Sequence, residues 1–162
     1  MTETTETGQT PGDAMRALLT AGARYTGRLN VQAAVYLLTF TDLPDWRGFR
    51  DLVHTERVDD QARDETYDAA FVPDWSALLD AKAAQIRGSG RRLLELAVSM
   101  AVGVPVNLRE ALAGFGHVGK RRVVEAVAIA TGVEEFYALT FTPTPALGSL
   151  LDFHRQMQGG GR

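Results

Sequence analysis

Apolar positions recur along this chain at intervals of three and four, and twice they merge into a run with almost no polar face. Such spacing predicts helices, and the near-absence of a wet stripe predicts buried ones. Between Leu93 and Val102 only Glu95 and Ser99 are polar, four residues apart on one helical face. Ser89 is placed to cap the start of this helix. At its end, Gly103 offers a left-handed cap, Pro105 cannot continue the helix, and Asn107 can cap the next one. The second run is Val31–Phe40, with Asn30 as its cap. Its β-branched and aromatic content leaves strand as the alternative reading. The run from Leu93 is expected to be the central helix, wrapped by shorter ones.

The remaining pattern fills in around these two. Asp13 can cap a helix carrying Met15, Leu18 and Leu19 and ending near Gly27. Pro44-Asp45-Trp46 and Pro73-Asp74-Trp75 both read as helix entries, with Asp45 and Asp74 as caps. Phe49, Leu52 and Val53 follow the first, and Leu78, Leu79, Ala83 and Ile86 the second. Residues 56–74 carry little apolar content before Ala69 and read as a surface loop or a short solvated helix. Beyond Asn107, Leu108–Ala113 is a short helix, Gly114-Phe115-Gly116 a turn, and Val118–Thr131 an amphipathic helix closed by Gly132. Val123, Val124, Val127, Ala128 and Ile129 are expected to face inward. Phe136–Thr142 could be a short strand. Thr144-Pro145 opens a last helix with Leu147, Leu150, Leu151 and Phe153 on one side.

Helices this short cannot stand alone in water and must pack together. The fold class predicted is all-α: a single irregular bundle of about seven or eight short helices, with one short extended segment near 136–142. Residues 1–12 are expected to form a disordered arm, 13–157 the helical domain, and 158–162 a flexible tail.

Composition narrows the function classes. The chain has 162 residues, 45% of them hydrophobic, which suits one core. A net charge of −3 disfavours a general polyanion binder. The absence of cysteine removes disulfide frameworks, thiolate metal sites and cysteine nucleophiles. The first residues are acidic and polar, so no secretory signal is expected. The longest apolar runs fall well short of the roughly 20 residues a membrane span needs. A cytoplasmic protein without membrane contact follows as the expectation. Lys82 and Lys120 are the only lysines among 17 basic residues, a bias that points to a GC-rich bacterial genome.

Chemistry-bearing motifs are missing. There is no phosphate-cradling glycine loop and no Gly-x-Ser-x-Gly elbow. His54, His117 and His154 have no second histidine at ligand spacing. No enzyme activity and no cofactor are expected. Asp60, Asp64 and Asp68 stand at i, i+4 and i+8, so a helix would align three carboxylates. They read as solvated acidic surface rather than as a Mg²⁺ or Ca²⁺ site, because a row of carboxylates repels itself. Residues 107–132 form a helix–turn–helix-like unit whose basic side chains, Arg109, Lys120, Arg121 and Arg122, could meet nucleic acid or an acidic partner. Glu125 on the same helix would repel phosphate. Trp46, Trp75 and Phe115 are candidate anchors for a protein partner. The expected function is non-enzymatic protein–protein interaction, as an adaptor or assembly subunit, with a partner protein or a second copy. A nucleic-acid-binding regulator is the alternative.

Overall fold

The computed structural model describes residues 10–80 and 86–133. Its first helix, α1 (Pro11–Thr26), starts earlier than the pattern suggested. Thr10 caps it by accepting the Asp13 amide at 3.1 Å, and the Asp13 carboxylate accepts the Thr10 amide in return. Each satisfies a donor that a helix start leaves unpaired. Gly27, at φ 65°, ends the helix in the left-handed region.

Helix α2 (Leu29–Leu38) follows, with Ala33, Ala34, Val35, Leu37 and Leu38 all buried. Asn30 does not cap it. Its side-chain amide instead donates to the carbonyl of Ala101 at 3.1 Å, tying the start of α2 to the last turn of a later helix. Those final carbonyls have no partner within their own helix, so the contact satisfies an otherwise orphaned acceptor.

After α2 the chain makes two 3₁₀ segments, Leu43–Asp45 and Arg47–Leu52. Asp45 is not a helix cap, because Arg16 of α1 holds it. The Arg16 guanidinium donates to Asp45 Oδ1 at 2.9 Å, to the Thr39 carbonyl at 2.9 Å and to the Thr41 carbonyl at 3.2 Å. A planar fork with five donors suits this threefold grip. Phe49, in the second of these segments, is fully buried.

Residues 54–71 correct the all-α prediction. Strand β1 (His54–Asp60) pairs antiparallel with β2 (Glu65–Phe71), Val58 opposite Tyr67 and Asp60 opposite Glu65. The fold is therefore mostly helical with one β-hairpin. On β1 the buried positions, Val58 and Asp60, run at period two, whereas on β2 Ala69 and Ala70 are both buried between half-buried Tyr67 and Phe71. Asp60 shapes the turn by accepting the Ala62 amide at 3.1 Å, and Asp64 closes it at φ 54°. The hairpin packs on α1. Gly22 makes that possible, since a Cβ there would lie 2.1 Å from the Ala70 carbonyl oxygen.

The two Pro-Asp-Trp stretches do not form equivalent structures. Asp74 caps the short helix α3 (Ala77–Asp80), accepting the amides of Ser76 at 2.9 Å and Ala77 at 3.1 Å. Helix α4 (Gly88–Val102) begins without a side-chain cap, Ser89 lying inside its first turn, and ends at Gly103 with φ 75°. Leu93, Leu94, Leu96, Ala97 and Val98 are buried. Asn107 caps α5 (Leu108–Ala113) through the Glu110 amide at 3.3 Å. Helix α6 (His117–Thr131) ends at Gly132, φ 69°.

The hub is α2, not α4: α1, α4 and α6 all pack against it. The short strand and the last helix predicted for residues 136–157, and both chain ends, lie outside the described residues.

Candidate functional site

The basic run Lys120-Arg121-Arg122 sits in the first turns of α6, as its spacing predicted, but two of its three charges are engaged within the molecule. Arg122 Nη1 donates to the Tyr36 hydroxyl at 3.1 Å, and its guanidinium carbon lies 3.6 Å from the centre of the Phe40 ring. That is cation–π distance. The Tyr36 hydroxyl donates to Glu125. Arg121 Nε donates to the other Glu125 oxygen at 2.8 Å.

Glu125 thus gathers three neighbours, and its side chain keeps only 17% of its surface exposed. Burial alone would raise its carboxyl pKa. The hydrogen bonds from Tyr36 and Arg121 and the charges of Arg121 and Arg122 outweigh burial and hold it below the ordinary glutamate value. Tyr36 moves the other way: burial and the bond to Glu125 raise it, so it stays a neutral donor. The assembly is a clamp between α2 and α6.

On the outer side of α6 the chemistry changes. Lys120, Val124, Val127 and Thr131 stand at i, i+4, i+7 and i+11, and all four are exposed. Val124 keeps 50% of its surface in water and Val127 45%. Both were expected inward. The face toward α2 is taken by Val123 and Ala126, which are buried. A second aliphatic stretch precedes it in the connection from α4 to α5, where Val102, Val104, Val106 and Leu108 are exposed. Exposed large hydrophobics are otherwise few among the described residues, Tyr25 and Phe40 being the examples before residue 100.

The other candidate residues are placed as follows. Arg109 is exposed on α5, and Lys120 on α6. Trp75 and Phe115 lie in the core at 7% and 5% exposure, and Trp46 is half-buried. A large side chain already enclosed cannot be the anchor of a second molecule without local opening, so the aromatics do not form an open patch. Asp60, Asp64 and Asp68 are not aligned on a helix. They lie at the end of β1, in the turn, and on β2 opposite Arg57. Asp60 accepts from the Arg63 guanidinium at 2.9 Å and from the Tyr67 hydroxyl at 3.2 Å. Among the described residues no group of three or more His, Asp or Glu could hold a metal ion.

An open cavity of about 410 Å³ lies at the start of α4, lined by Phe40, Trp46, Arg87 and Ser89 among others. Asp42 also lines it, which opposes an anion at the uncapped helix start.

No family model matches the chain, and no curated protein or solved structure is similar to it. No helix among the described residues is long and apolar enough to cross a membrane.

The Glu125 clamp had a legible signal. Arg121 and Arg122 precede it by four and three residues, the spacing of helical ion pairs. Tyr36 had none, because its contact with Glu125 spans 89 residues of chain.

Proposed function

We propose that this protein is a non-enzymatic docking module, an adaptor or assembly subunit that binds another protein through the outer face of α6. The observation that carries the reading is the pair Val124 and Val127, half in water one turn apart on a helix whose other side buries Val123 and Ala126. Exposed aliphatics with a charged residue at one end, here Lys120, match the apolar centre and polar rim of a protein interface. They suit nucleic acid poorly, because valine reads neither phosphate nor most base edges. The engagement of Arg121 and Arg122 with Glu125 favours the same choice.

Affinity capture from the native host tests this with the wild-type chain and with V124K/V127K side by side. A specific protein retained by the wild type and lost from the folded variant is the expected result. A partner held equally by both, or binding to DNA at low salt that depends on Lys120, would overturn the reading.

A further inference from the structure

Another open cavity, of about 240 Å³, lies where the end of α1, the start of α2, the segment leaving β2 and the last turn of α4 meet. Its walls are apolar: Val31, Val35, Ala70, Val72, Trp75 and Ala101 all line it. Val35, Ala70, Trp75 and Ala101 are each less than a tenth exposed, so the cavity reaches down to the core. Two contacts already described hold these walls in place. The Asn30 amide ties the start of α2 to the Ala101 carbonyl at 3.1 Å, and Gly22 lets the β2 backbone close on α1. The space is therefore built by the fold, as ligand sites usually are, and not by loose surface side chains.

The exposed lining residues Thr26, Arg28 and Val102 mark its mouth. The Thr26 hydroxyl is already used: it donates to the Ala23 carbonyl at 2.8 Å and accepts the Arg28 amide at 3.3 Å. The Arg28 guanidinium makes no hydrogen bond or ion pair among the described residues. No carboxylate is among the described lining residues, unlike the cavity at the start of α4, where Asp42 intrudes.

We propose that this cavity binds a small anionic amphiphile, a straight-chain carboxylate whose head pairs with Arg28 and whose tail fills the apolar space. A planar fork of donors matches a carboxylate through two parallel hydrogen bonds. At roughly 30 Å³ for each water-sized group, the volume admits about eight such groups, the length of octanoate. None of the described lining residues belongs to α6, so the site is separate from the docking face.

Of the two tryptophans, Trp75 lines this cavity and Trp46 the one at the start of α4. Trp46→Phe therefore leaves a single reporter inside the site. Titrated with 8-bromooctanoate, whose bromine quenches an indole on contact, this variant should lose most of its emission. Octanoate should restore it by competition. In a series from hexanoate to dodecanoate, affinity should rise about fourfold for each added methylene up to about eight carbons and then level off. A steady rise through dodecanoate would overturn the proposal, because it would mean adsorption on open aliphatic surface such as Val104 and Val106. Octylammonium should compete severalfold more weakly than octanoate, and Arg28→Glu in the same background should invert that order. Arg28 is exposed, so the reversal should leave the circular dichroism spectrum unchanged. Equal competition by the two heads, or an order that survives in Arg28→Glu, would overturn the anionic class. Absence of quenching would overturn the site outright.

Discussion

Helices α2 and α6 lie side by side and treat the same kinds of residue in opposite ways. In α2, Val35 is 5% exposed and Ala33, Ala34, Leu37 and Leu38 are fully buried. In α6, Val123 is buried at 3%, but its neighbour Val124 and the next-turn Val127 stand half in water. The cause is the number of neighbours. Among the described residues, helix α2 is packed by α1, α4 and α6, whereas α6 packs on α2 and touches α4 only lightly. Apolar content therefore reports that a helix meets something, and the surrounding helices decide which of its faces has already done so.

The sharpest way to break this contrast is a pair of truncations. Leu37→Ala in α2 should cost about 2–5 kcal/mol, since the site is enclosed and cannot collapse freely. Val127→Ala in α6 should stay within about 0.5 kcal/mol, because its side chain is half hydrated already. Denaturant unfolding of both variants gives the comparison. Equal losses would mean that the outer face of α6 is covered.

Next in size is the joint between α1 and the hairpin. Gly22→Val forces a branched side chain against the Ala70 carbonyl, which is backbone and cannot swing away. A loss of about 1–3 kcal/mol is expected, with faster amide exchange in β2 than in α2. Uniform loosening of the whole molecule would instead mean that the hairpin and the helices are one cooperative unit.

Smaller again is the Arg16 clasp. Arg16→Met removes donors from the carbonyls of Thr39 and Thr41 as well as from Asp45, and should cost about 1–2 kcal/mol. The Asp45 carboxyl is held below its ordinary value by the hydrogen bond and charge of Arg16, against a smaller opposing effect of burial. A depressed carboxyl contributes stability that is present above its unfolded value and lost as pH falls through its folded value. Glu125 is depressed as well. Wild type should therefore lose stability on acidification below the ordinary carboxylate range. Arg16→Met should lose less over that range, because its Asp45 is no longer held. Thermal melts of the two across that range check the sign.

The smallest effect on stability belongs to V124K/V127K, within about 0.5 kcal/mol per site. Its effect on partner binding should be the largest of the set. A variant that is stable and still binds would remove the docking role from this face.

Much of the helix punctuation was readable beforehand because caps are local chemistry. Gly27, Gly103 and Gly132 all take the left-handed conformation, and Asn107 caps α5. The hairpin was not readable as one. Its strands are charged and short of β-branched residues, and Ala70 interrupts the alternation of Tyr67, Ala69 and Phe71. What holds them is the close approach of α1 at Gly22, a contact far away in sequence. Asn30 and Asp45 were misread for a related reason. Each has the right chemistry for a cap, and each found a better partner on another element.

From its residues alone, then, the chain determined that it would be mostly helical, where several helices stop, and that Arg121, Arg122 and Glu125 could pair. Local backbone preferences and i to i+4 neighbours are enough for that. Only the tertiary structure decided that α2 is the hub, that residues 54–71 form a hairpin, and that Val124 and Val127 face outward. Those outcomes depend on which surfaces other elements have already covered, and that competition is settled between residues far apart along the chain.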